Sequence, residues 1–245
     1  MSSPTLLKTD PSPPLIWTTL LMAAFLLLVP QVLLTSVFGF YAHLIDMPNV
    51  GQWLVSIEVQ MKLMLIASPL TAALVILFTR TFGTSSDNWQ SILLYLSIKS
   101  CSKRDIITWV LASIALWVLM ALLGVVADLP EEEFMLMVRD SNTSPLLIFI
   151  VICVFAPVVE ELVFRGFLFR RFQQTWLAST GSLIVTCALF TLVHGAQYTL
   201  VGLVFILIIA VYLALIRWKT RNTSLCIIAH ATNNALSMVA LYYFY

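Results

Sequence analysis

The chain has 245 residues, 60% of them hydrophobic and 10% charged, with a formal net charge of +1. Its mean hydropathy is +0.98, and several apolar runs reach the about 20 residues needed to cross hydrocarbon, which excludes an ordinary soluble domain and predicts an all-α, polytopic transmembrane helical bundle. The 13 Lys and Arg residues lie in small groups between apolar runs, so they form no basic face for nucleic acid.

A short N-terminal stretch with Lys8, Asp10 and prolines from Pro11 to Pro14 precedes the first expected span, residues 15–44. That run is too long for a cleavable signal segment and reads as a retained span, kinked or tilted at Pro30. His43, beside Tyr41 and Asp46, is expected at headgroup level with no chemical role. A second span is expected at residues 61–82. Residues 87–98, with Trp89 and Tyr95, mix polar and apolar side chains on a helical period and predict a helix lying on the membrane surface. Further spans are expected at residues 106–127, 145–169, 181–198, 200–218 and 225–244, about seven in all. Cys101, Cys153, Cys187 and Cys226 form no CxxC pair and read as free thiols.

Cytoplasmic loops carry an excess of Lys and Arg. Lys8 precedes span one; Arg80, Lys99, Lys103 and Arg104 follow span two; Arg170 and Arg171 follow span four; Arg217, Lys219 and Arg221 follow span six. The intervening loops are acidic or nearly uncharged, with Asp128, Glu131, Glu132, Glu133 and Asp140 between spans three and four. A cytoplasmic N-terminus and an extracytoplasmic C-terminus satisfy the rule. With no linker, repeat or low-complexity stretch, residues 1–245 read as a single integral membrane domain, and the residues before about Asn142 hold no recognisable chemical motif.

The informative polarity lies within residues 145–245. Glu160 and Glu161 interrupt an apolar span, Arg165 follows, and His194, His230 and Asn234 occupy later apolar segments. Charges at such depth are costly and mark functional sites. At about 1.5 Å per residue, Glu160, His194 and His230 all fall roughly 14 to 20 Å from the cytoplasmic ends of their helices, near one depth. Adjacent helical residues point about 100° apart, so the two glutamates cannot share one role. Glu161 and Arg165, at i and i+4, are expected to pair, leaving Glu160 the freer carboxylate. Phe190 with His194, and His230 with Asn234, are likewise one turn apart. Membrane helices also use His, Asn and ion pairs to hold one another, so each residue alone is compatible with a structural role.

The segments Glu160-Glu161-Leu-Val-Phe-Arg165, Phe190-Thr-Leu-Val-His194 and His230-Ala-Thr-Asn-Asn234 resemble the EExxxR, FxxxH and HxxxN motifs of the CAAX protease and bacteriocin-processing family, in order and on separate spans. The resemblance covers roughly the last hundred residues. It implies a glutamate-dependent intramembrane endopeptidase in which Glu160 and His194 activate water, His230 and Asn234 stabilise the oxyanion, and Glu161, Arg165 and Phe190 support them. No cofactor or metal is expected. Implied partners are membrane lipids and a membrane-associated peptide or protein substrate, and the family suggests a bacterial inner membrane. Two alternatives remain open on the residues themselves. Glu160, His194 and His230 would make a three-ligand zinc set, although HExxH is absent. A non-enzymatic carrier or scaffold with a protease-like core is the other, although no internal repeat is evident.

Overall fold

The computed structural model describes residues 14–84 and 88–243. Lys8, Asp10, Pro11 and Pro13, the start of the surface helix at Asp87 and the end of the last span at Phe244 lie outside the described residues. The described residues form helices and no strand. We number them α1 (Ile16–Leu44), α2 (Val50–Val55), α3 (Ile57–Gly83), α4 (Trp89–Tyr95), α5 (Lys103–Val126), α6 (Glu133–Asp140), α7 (Pro145–Gln173), α8 (Ala178–Val193), α9 (Leu200–Thr220) and α10 (Thr223–Tyr243).

Local sequence sets several boundaries. Side chains of Asn88, Ser102 and Thr199 accept backbone N–H bonds from Ser91, Asp105 and Gly202, capping α4, α5 and α9. Arg221 takes a left-handed conformation, with φ of 51°, in the tight turn from α9 to α10. The α1 helix runs without interruption through Pro30.

Six helices, α1, α3, α5, α7, α9 and α10, are long and apolar enough to cross a membrane. The fifth expected span is shorter than its apolar run: α8 has 16 residues, about 24 Å at 1.5 Å per residue. It ends because residues 194–199 turn back, with Gly195 N bonded to Leu192 O, Gln197 N bonded to His194 O, and Thr199 capping the next helix. Within the stretch expected to form a surface helix, the described residues form α4, seven residues long, which buries Ile92 and Tyr95 and leaves Trp89 and Leu94 exposed.

The bundle presents apolar side chains outward, as a molecule immersed in lipid can. Ser113 is the one buried residue of α5, whereas Ile107, Leu111, Leu119 and Val126 are exposed. This is an integral, multi-pass membrane protein. Inside, α7 is the hub: it packs against α3 and α10, and its C-terminal part against α8. Phe164, Phe167, Leu168, Phe172 and Phe190 form much of the largest buried cluster. Helices α8 and α9 lie side by side, and α10 packs on both α5 and α9.

Two stretches of α7, Val151–Phe155 and Leu162–Leu168, are wound as wider π turns. Such turns redirect backbone carbonyls and recur at functional sites. The Ile152 carbonyl would take its helical bond from Ala156 or Pro157, but Ala156 N–H is bonded to Val151 O and proline has no N–H. Asn234 of α10 supplies the donor instead, Nδ2 to Ile152 O at 2.8 Å. In the second stretch Phe169 N–H is turned to Phe164 O, and Arg217 of α9 donates from Nε to Arg165 O at 2.9 Å. Each widened turn is thereby tied to a neighbouring helix.

The loop before α6 also fastens the turn behind α8. The Glu132 carboxylate accepts from Thr199 N–H at 2.9 Å and Thr199 Oγ1 at 2.6 Å. A Cβ on Gly202 would overlap that carboxylate. Gly202→Ala should therefore push the flexible Glu132 carboxylate off Thr199, at a net cost of about 1 kcal/mol or less because Ala favours the helix. Thermal melting should show the penalty in the native background and its disappearance alongside Glu132→Ala; an equal penalty in both backgrounds would contradict the clash.

Candidate active site

Glu161 is wholly buried, and its Oε1 receives two donors: Arg165 Nη1 at 3.2 Å and His230 Nδ1 at 2.9 Å. The expected Glu161–Arg165 pair is present. Arg165 is itself fully buried, donates from Nη2 to the Ala210 carbonyl at 2.9 Å, and lays its guanidinium 4.5 Å from the centre of the Phe190 ring. Ala210 and Ala214 are small enough to let α9 approach this charge. A buried guanidinium needs such donors' partners, because an unpaired charge in low dielectric is strongly unfavourable.

His230 links the two acids. Its Nδ1 lies against Glu161, and its Nε2 is 3.9 Å from Glu160 Oε2. Because an ionised carboxylate can only accept, the Nδ1 bond is a donation, which fixes the ring and aims Nε2 towards Glu160. Glu160 differs from its neighbour as helical geometry requires: its side chain is 18% exposed against 0% for Glu161, although each keeps a buried Oε2 without a hydrogen-bond partner.

His194 sits just past the end of α8, half-buried, with Nδ1 2.8 Å from the Phe190 carbonyl. A carbonyl oxygen accepts only, so Nδ1 carries the proton and Nε2 in the neutral ring is an acceptor. Phe190 is the common neighbour of both histidines, its ring centre 4.9 Å from that of His194 and 5.8 Å from that of His230. Glu160 and His194 line one cavity of about 210 Å³. The site thus gathers Glu160, Glu161, Arg165, Phe190, His194 and His230, while Asn234, one turn beyond His230, holds the first widened turn of α7. Among the described residues no three His, Cys, Asp or Glu side chains are grouped to hold a metal ion.

Residues outside the motifs complete the cavity. Leu26, Leu27 and Gln31 come from α1, and Met64, Ala67, Ser68 and Thr71 from α3. Sequence reasoning assigned no chemistry to these helices. The available signal was slight: Gln31 is the one amide side chain in α1.

The chain is 32% identical over 89 residues to the UPF0177 protein YbdI of Lactococcus lactis subsp. lactis (strain IL1403), across 36% of this chain and 47% of that protein. It therefore spans about half the length of the curated relative it matches. No solved structure matches it. The family model described as type II CAAX prenyl endopeptidase Rce1-like matches residues 142–236, which include Glu160, His194, His230 and Asn234. Over those residues, somewhat under half of its length, the chain is similar to the Rce1-like type II CAAX prenyl endopeptidases.

Proposed function

We propose that the chain is an intramembrane endopeptidase that hydrolyses peptide bonds of membrane-associated substrates through water activated by Glu160. The observation that carries this reading is the contrast between two adjacent acids. Both leave Oε2 without a partner, but Glu161 is fully buried with Oε1 held by Arg165 and His230, whereas Glu160 is partly exposed and is the one carboxylate on the cavity wall.

Glu160 takes a proton from water as the hydroxyl oxygen attacks the scissile carbonyl carbon. His194 Nε2, on the same cavity, shares that proton and holds the water in line. The carbonyl oxygen becomes an oxyanion, stabilised by the second N–H of the Asn234 amide and by the His230 imidazole. Glu160 then passes the proton to the departing amine nitrogen as the C–N bond breaks. The Glu161–Arg165 pair anchors His230 from behind. The reaction needs no Ser or Cys nucleophile, and the chain's four cysteines are free thiols.

Membranes from cells lacking the chain, incubated with the purified protein in H2 18O, test this reading. New peptide carboxyl termini carrying 18O should accumulate in membrane-associated proteins, and their absence would overturn it.

The basic-loop asymmetry supports a cytoplasmic N-terminus, and the family resemblance supports a bacterial inner membrane. A reporter fused after Tyr245 should then behave as extracytoplasmic and one inserted at residues 99–104 as cytoplasmic. Both reporters on the same side would mean that the short α8 does not complete a crossing.

A further inference from the structure

Hydrolysis inside a membrane requires substrate that is unwound around the scissile bond. Unwinding exposes N–H and C=O groups that hydrocarbon cannot satisfy. Many peptide-binding proteins meet this need with an open strand edge, but the described residues contain no strand. The partners must then be side chains or helix carbonyls left without a donor.

The cavity beside Glu160 has such groups on elements outside the three motifs. Gln31 of α1, Thr71 of α3 and Gln197 of the turn after α8 all line it. None of these three side chains has a hydrogen-bond partner among the described residues, in contrast to Ser68, whose hydroxyl turns back to Met64 O at 2.7 Å. Gln31 stands, half-buried, in a helix long and apolar enough to cross a membrane, where an amide without a partner is costly. Its neighbour Pro30 has no N–H to offer the Leu26 carbonyl, and Leu26 lines the same cavity.

We propose that Gln31, with Thr71 and Gln197, forms a subsite that binds the main chain of an extended peptide; this rests on the endopeptidase reading of Glu160. An amide side chain donates and accepts, matching one peptide C=O and one peptide N–H without selecting a side chain. The cavity of about 210 Å³ equals roughly seven water volumes at about 30 Å³ each, room for a short stretch of backbone. The subsite is therefore indifferent to substrate sequence, and its loss weakens different substrates alike.

The probe is a synthetic peptide spanning a cleavage site found by 18O labelling, together with variants in which single backbone amides are replaced by esters. Gln31→Leu should raise KM about tenfold and leave kcat within about twofold, the split expected when binding common to ground and transition states is lost. One ester should raise KM for the native protein but not for Gln31→Leu, because the bond it removes is already gone. An unchanged KM in folded Gln31→Leu overturns the subsite, as does an ester scan identical in both backgrounds. Should Gln31→Leu fail to fold, Thr71→Val carries the same scan. A native protein that cleaves no peptide would instead overturn the endopeptidase reading, and the subsite with it.

Discussion

Glu160→Gln should lower peptide turnover by about 100- to 10,000-fold, the range typical for loss of a general base, while leaving the protein folded. Glutamine keeps the shape and a hydrogen-bonding oxygen but cannot take a proton from water. Little structural penalty is expected, because Glu160 Oε2 has no hydrogen-bond partner to lose and the side chain is partly exposed to the cavity. The measurement is kcat on one cleaved peptide beside a melting curve in the same detergent. A folded variant with native turnover would remove Glu160 from the chemistry.

Glu161→Gln should fail in the opposite way. It strips the counter-charge from Arg165, which is fully buried and has an unpartnered Nε as well. Breaking a buried pair by removing one partner costs about 3–5 kcal/mol, on the order of 10 °C in melting temperature for a chain of this size. Because Glu161 Oε1 also fixes His230 Nδ1 at 2.9 Å, some turnover is lost per folded molecule too, but less than with Glu160→Gln. Melting and expression in membranes are the primary readouts. A variant as stable as the native protein would contradict the assignment of Glu161 as the anchor of this network.

Much of this arrangement was legible in the sequence, for physical reasons. Long apolar runs can only be satisfied as helices in lipid, so α1, α3, α5, α7, α9 and α10 follow from hydropathy. The i, i+4 spacing of Glu161 and Arg165 anticipated their pairing, and the 100° offset between neighbours anticipated that Glu160 would stand apart. The end of α8 was less visible, because Ala196 and Tyr198 are apolar enough to prolong the run that Gly195 and the Thr199 cap interrupt.

Tertiary choices were hidden. That Asn234 donates to Ile152 depends on Pro157 withholding an N–H within a widened turn, and on α10 lying against that turn. His230 reaching Glu161 as well as Glu160 depends on the depth at which α10 starts, set by Thr223 bonding to Leu96 O and Ser97 O. The part of the cavity wall from α1 and α3 has no motif at all. Its polar members, Gln31, Ser68 and Thr71, stand among Leu, Met and Ala side chains and take their meaning from facing a shared space.

The role of Glu160 is tested by comparing the peptide termini in membranes carrying the native chain with those carrying Glu160→Ala at matched abundance. A set of membrane-associated proteins should be cleaved with the native chain and intact with the variant; identical cleavage in the two membranes would remove Glu160 from peptide hydrolysis.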